Sequence, residues 1–128
     1  MDSVLARVDA ADFKAEHALH LMERGAALRG LDRLEDAEAA YRRALEVIAE
    51  QGGTEAEEAP ARLGLAAVLT DGGQTEEARP LFEDALRALE EERGARDPER
   101  LKGLGEFARL LRATGEHERA AEVEAERR

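Results

Sequence analysis

The chain of 128 residues has a formal net charge of −11, no cysteine, no tryptophan and only 3% aromatic residues. Within these residues the lack of cysteine excludes disulfides, thiolate metal sites and cysteine nucleophiles, and a core must be built mainly from alanine and leucine. The negative charge argues against nucleic acid or an anionic membrane as a partner, because both are bound through clustered lysine and arginine.

The N-terminal segment MDSVLARVDAAD has acidic residues where a secretory signal has basic ones. No apolar run approaches the ~18 residues that a membrane-spanning helix needs. We therefore expect a cytoplasmic protein. Val4, Leu5 and Val8 form a short apolar stripe in this segment, on a helix that could continue into residues 12–30. Two interpretations stay open: the stripe caps the first helix pair, or it contacts another chain in a homo-oligomer.

Further along the chain, segments rich in glycine or helix-ending residues lie near 30–33, 50–55, 70–74, 93–99 and 112–117. Apolar residues between these segments recur at spacings of three and four, which predicts amphipathic helices. Since strand patterns are nearly absent, the predicted class is all-α. Asp97-Pro98-Glu99 predicts a helix start. Thr54 with Glu57 predicts another, although Pro60 leaves open a later start near Ala59.

Three segments of the chain align as an internal repeat. They are LEDAEAAYRRAL, TEEARPLFEDAL and HERAAEVEAERR, and they begin at residues 34, 75 and 117, which are 41 and 42 residues apart. Ala37, Ala78 and Ala120 coincide, and Tyr41 aligns with Phe82. Upstream of each lies a second matching segment, LMERGAAL, RLGLAAVL or LGEFARLL. Two helices therefore recur three times, which is the signature of a repeat that buries its apolar face by stacking on its neighbours.

The columns of this alignment have mechanical roles. The small residues of each helix pair let the two backbones approach, and Tyr41 and Phe82 are large enough to fill the gap toward the next pair. Pro80 falls about one turn into its helix, where it forfeits at most an early backbone hydrogen bond. We expect Pro80 to shape the helix and not to bind a ligand.

The pattern resembles the tetratricopeptide repeat, and its period near 42 residues resembles the longer variant of kinesin light chains and bacterial relatives. The resemblance implies a right-handed α-solenoid of three helix-turn-helix repeats with about six to seven helices. Residues 1–128 form one domain in this interpretation, with repeat 1 at about 12–51, repeat 2 at about 54–93, repeat 3 at about 97–128, and an N-terminal extension or cap at 1–11.

The resemblance also implies that the first helices of successive repeats line a concave groove, where a peptide or a partner helix binds. The matching positions are Met22, Glu23, Ala26, Arg29, Leu63, Gly64, Ala67, Thr70, Gly105, Glu106, Arg109 and Arg112. Among them the arginines could pair with carboxylates of a partner. Kinesin light chains use asparagines in their grooves, and this chain has none, so their ligands cannot be transferred.

Other chemistry-bearing residues give no site. His17 and His20 lie three apart on a helix, but no third metal ligand converges on them and His117 is remote in sequence. Ser3 is the only serine and lacks the Gly-x-Ser-x-Gly context. We expect no catalytic site, no metal and no cofactor, and therefore no enzyme. The leading hypothesis is a protein-interaction module; self-assembly through the solenoid ends and a peptide-sensing regulatory role are the alternatives.

Overall fold

The computed structural model describes the backbone of residues 3–128 and the side chains of residues 15–128. The described backbone forms six helices and no strand, which confirms the predicted all-α class. The helices are α1 (Ser3–Gly30), α2 (Leu34–Glu50), α3 (Glu55–Asp71), α4 (Thr75–Arg93), α5 (Pro98–Ala113) and α6 (His117–Glu126).

The helices pair in chain order as three hairpins, α1–α2, α3–α4 and α5–α6, and each hairpin packs on the next through α2–α3 and α4–α5. The first helices also contact one another in succession, α1 with α3 and α3 with α5, whereas the described parts of the second helices do not. Since the first helices are the more closely spaced, the stack curves with α1, α3 and α5 on its inner, concave side. This is the predicted α-solenoid.

Local signals set the helix ends. The Thr54 hydroxyl accepts a hydrogen bond from the backbone N–H of Glu57 at 3.2 Å, so α3 begins at Glu55 and Pro60 lies within it. The later start near Ala59 is therefore not adopted. Asp97 caps α5 as predicted, through a hydrogen bond from the N–H of Arg100 at 3.1 Å.

The turn inside each hairpin needs a left-handed residue, which the three repeats supply with Asp32 (φ 60°), Gly73 (φ 81°) and Gly115 (φ 82°). The aligned alanines Ala37, Ala78 and Ala120 are at most 1% exposed, as expected for close contact between paired helices.

The aromatic residues join the hairpins, as predicted. Tyr41 of α2 lies between α1 and α3: a methyl group added to Gly25 would come within 2.7 Å of the ring, and one added to Gly64 would come within 2.8 Å of Cδ1 and closer to Cε1 and Cζ. Phe82 of α4 is fully buried and contacts Phe107 of α5, with ring centroids 5.5 Å apart.

The N-terminal end is one continuous helix. α1 has 28 residues and α2 has 17, and Ala18 packs near Val47 and Ile48 at the far end of α2. About three turns of α1 therefore run beyond α2. The side chains of Val4, Leu5 and Val8 lie outside the described residues, so both interpretations of that stripe stay predictions. No helix in the described part of the chain combines the length and apolar character needed to cross a membrane.

Candidate functional site: a pocket on the concave face

The three first helices enclose a pocket of about 130 Å³ on the concave side of the solenoid. α1, α3 and α5 each contribute to its wall, and Tyr41 of α2 reaches it between them. The lining residues are Ala26, Arg29, Tyr41, Pro60, Leu63, Gly64, Glu99, Lys102, Gly103 and Glu106. Apolar groups and charged groups therefore share the wall.

Close packing at two glycines shapes the apolar wall. The ring of Tyr41 occupies the space beside Gly64 that a side chain would need, and Leu63 likewise approaches Gly103, where an added methyl group would lie 2.9 Å from its terminal carbons. Burial raises the pKa of Tyr41; the neighbouring Arg29 opposes the shift and Glu106 adds to it. The phenol thus stays neutral and can offer a hydroxyl hydrogen to a ligand.

Four charged residues form a network across the concave face, which we call the concave charge cluster: Arg29, Asp71, Glu106 and Arg109. Arg29 donates to Asp71 at 2.5 Å and to Glu106 at 3.2 Å. Arg109 donates to Asp71 at 2.6 Å and to Glu106 at 3.2 Å. Each guanidinium therefore contacts both carboxylates, and each carboxylate contacts both guanidiniums.

The cluster favours the charged forms of Asp71 and Arg29. Burial alone would raise the pKa of Asp71, but hydrogen bonds from Arg29 and Arg109 outweigh it and hold that pKa below its usual value. The hydrogen bond to Asp71 is the main cause that raises the pKa of Arg29; burial opposes it and Glu106 adds to it. The cluster consists of two arginines and two acidic residues, so its formal charges sum to zero.

The groove positions expected from the sequence fall into three environments. Ala26, Arg29, Leu63, Gly64 and Glu106 line the pocket. Ala67 and Thr70 are buried, and the Thr70 hydroxyl donates to the carbonyl of Ala66 at 2.8 Å. The remaining positions are exposed or half-buried outside the pocket: Met22, Glu23, Gly105, Arg109 and Arg112.

The three arginines expected to meet a partner's carboxylates already have carboxylate partners within this chain. Arg29 and Arg109 belong to the concave charge cluster, and Arg112 pairs with Glu124 of α6 at 3.3 Å. The pocket's unpaired charges are on α5 instead: Lys102 and Glu99 form no ion pair with any described residue.

Sequence reasoning missed the N-terminal part of the pocket. Glu99, Lys102 and Gly103 lie seven, four and three residues before the predicted Glu106 and so share its face of α5. Extending the groove positions toward the start of α5 along this stripe would have found them. Among the residues with described side chains, no cluster of three or more histidine or acidic groups has the geometry of a metal site.

Comparison with known proteins identifies a family and a solved structure that this chain resembles. A family model described as tetratricopeptide repeat matches residues 16–91 and, in an overlapping match, residues 57–126. No curated protein sequence matches the chain. Among solved structures, the crystal structure of BtubC (BKLC) from P. vanneervenii superposes with a TM-score of 0.76 at 18% sequence identity, over 86% of this chain and 44% of that one. This chain thus spans less than half the length of that protein, and the likeness concerns the fold.

Proposed function

Because the chain belongs to the tetratricopeptide repeat family, whose members generally mediate protein–protein interaction, we propose that it binds a peptide or a partner helix on its concave face without catalysing a reaction. The observation that carries the proposal is the pocket, since α1, α3 and α5 all contribute to it. A pocket of about 130 Å³ is the size of one large aliphatic side chain and too small for a drug-sized ligand.

The chemistry of the pocket suits a peptide contact. Ala26, Leu63 and the Tyr41 ring supply an apolar interior, while Lys102 and Glu99 leave unpaired charges at its wall. One buried anchor surrounded by polar groups is the usual anatomy of a protein interface. The concave arginines add little to recognition of an acidic partner, because intramolecular carboxylates already neutralise them.

A matched pair of alanine substitutions tests the proposal. Ala26→Leu places a larger side chain in the pocket, whereas Ala27→Leu makes the same change at an exposed neighbour outside it. Partners captured by the wild-type chain are identified by mass spectrometry, and the affinity of each is then measured with the purified variants. We expect Ala26→Leu to weaken binding about tenfold or more, a loss of about 1.4 kcal/mol, and Ala27→Leu to leave binding unchanged. Equal affinity for both variants would rule out the pocket as the binding site.

A second candidate function, self-association, is favoured by one observation: α1 continues about three turns beyond the end of α2. Val4, Leu5 and Val8 belong to this projecting segment of the helix. If the segment mediates contact between copies, replacing all three with serine should convert a dimer into a monomer in light scattering. A wild-type chain that is monomeric at high concentration would exclude this function while leaving the concave face as the binding site.

A further inference from the structure

The concave charge cluster has a mechanical feature that ordinary surface ion pairs lack. The described parts of α1 and α5 have no pair of Cα atoms within 8 Å, because α3 lies between them. Nevertheless Arg29 of α1 reaches Glu106 of α5 at 3.2 Å. Among the described residues this is the one ion pair that joins the first repeat to the third.

Gly64 of the middle helix lines the same pocket as Arg29 and Glu106. It has no side chain, and the ring of Tyr41 fills the space beside it. Arg29 therefore meets Glu106 next to the Tyr41 ring, with α3 between their two helices. Asp71, at the end of α3, accepts hydrogen bonds from both sides and ties the middle repeat into the same network.

The bridge also forms part of the pocket. Arg29 and Glu106 both line it, from opposite walls. The separation of α1 and α5 sets the width of the pocket, and the bridge joins those two helices by side chains alone. The same two residues therefore both connect α1 to α5 and line the pocket between them.

We propose that the concave charge cluster is a salt-sensitive clamp that holds the first repeat at a fixed distance from the third. Its side chains are 20% to 45% exposed, so water and salt reach them. Single exposed pairs contribute little, whereas networks contribute more. The Debye length falls from about 10 Å at 0.1 M salt to about 3 Å at 1 M, which is comparable to the separation of the paired groups, so salt weakens the pairs in proportion to their exposure. High salt therefore opens the clamp.

The chain is well suited to a direct distance measurement because it has no cysteine. Spin labels on Leu31→Cys and Ala113→Cys, both exposed at the hairpin-turn edge of repeats 1 and 3, report the opening by pulsed electron paramagnetic resonance. We expect the mean distance to increase by about 2 Å or more, with a broader distribution, between 0.1 M and 1 M salt.

Variants separate the clamp from general effects of salt. Asp71→Asn combined with Glu106→Gln should show the wider distance already at low salt and no further response. Arg42→Gln is the control: it removes the pairs of Arg42 with Glu38 and Glu77 on the second helices and should keep the wild-type response. Circular dichroism verifies folding, and Glu106→Gln alone provides the comparison if the double variant does not fold.

Two results would overturn the clamp. One is a wild-type distance that does not change with salt. The other is a neutralised variant that has the wild-type distance and the wild-type salt response. Either result is independent of whether a partner binds the concave face, since no partner is present in the measurement.

Discussion

Gly64→Ala is the substitution whose effect the packing around Tyr41 determines most clearly. In an exposed helix interior, replacing glycine with alanine stabilises a protein by about 1 kcal/mol. Here the added methyl group would lie 2.8 Å from Cδ1 of Tyr41 and closer to two further ring carbons. Gly25 of α1 borders the same ring, and there too an added methyl group would have no space. The ring therefore cannot simply move aside.

The two effects oppose each other, and the steric one is larger. Overpacking a well-packed core costs about 1–3 kcal/mol, so the net result in the wild-type background is a destabilisation of about 1 kcal/mol. In a Tyr41→Leu background the ring carbons Cε1 and Cζ are gone. The same Gly64→Ala change should then stabilise the chain by up to about 1 kcal/mol. The sign of its effect therefore reverses between the two backgrounds.

Urea unfolding followed by circular dichroism at the helical band measures both free-energy changes. Gly30→Ala is the matched control, because nothing lies within 4 Å of the added methyl group, and its effect should be the same in both backgrounds. Two results would refute the conclusion that the Tyr41 ring tightly fills the gap between α1 and α3. One is a Gly64→Ala variant that is more stable than the wild-type chain, and the other is an equal change in unfolding free energy in the two backgrounds.

Three further predictions concern the helix ends and the concave charge cluster. Asp97→Ala removes the cap that accepts from the N–H of Arg100 and should cost about 1 kcal/mol in urea unfolding; no loss would show that Pro98 alone starts α5. Asp71 has a lowered pKa in the folded chain, so its stabilising contribution is present above about pH 4, the unfolded value of this pKa, and is lost as the pH falls through the lower folded value. The difference in unfolding free energy between wild type and Asp71→Asn should therefore be constant at neutral pH and shrink in acid. A difference that grows in acid would contradict the direction of the pKa shift. Arg96 donates to the carbonyls of Glu126 and Arg128 at 3.2 Å and 3.0 Å, so Arg96→Ala should speed hydrogen exchange in α6 and leave α3 unchanged, whereas unaltered exchange in α6 would show that these bonds do not hold its end.

Periodicity predicted most of the fold because the same pattern of buried small and apolar residues occurs in each of the three helix pairs. The alanine and aromatic columns predicted which helices pair and placed Tyr41 and Phe82 between hairpins. Composition alone favoured a core of alanine and leucine, and 14 of the 30 buried apolar residues are alanine.

The pocket was less predictable, for physical reasons. Gly64 aligns with groove positions, yet its lack of a side chain also leaves room for the ring of Tyr41 from the preceding helix. An alignment of the repeats compares one position at a time and does not show this contact. The pairing of Arg29 with Asp71 and Glu106 joins residues 42 and 77 positions apart. Such pairs depend on the curvature of the solenoid and on side-chain rotamers, neither of which the spacing of charges along one helix determines.

The central claim, that a protein partner binds the concave face, is tested most directly by site-specific photo-cross-linking. A photoreactive amino acid is placed at Lys102, which lines the pocket, or at Glu46 of α2, whose side chain is 64% exposed outside it. Irradiation of the chain with its captured partner, followed by mass spectrometry, should give a cross-link from position 102 and none from position 46. A partner that cross-links from position 46 and not from position 102 would contradict binding at the concave face.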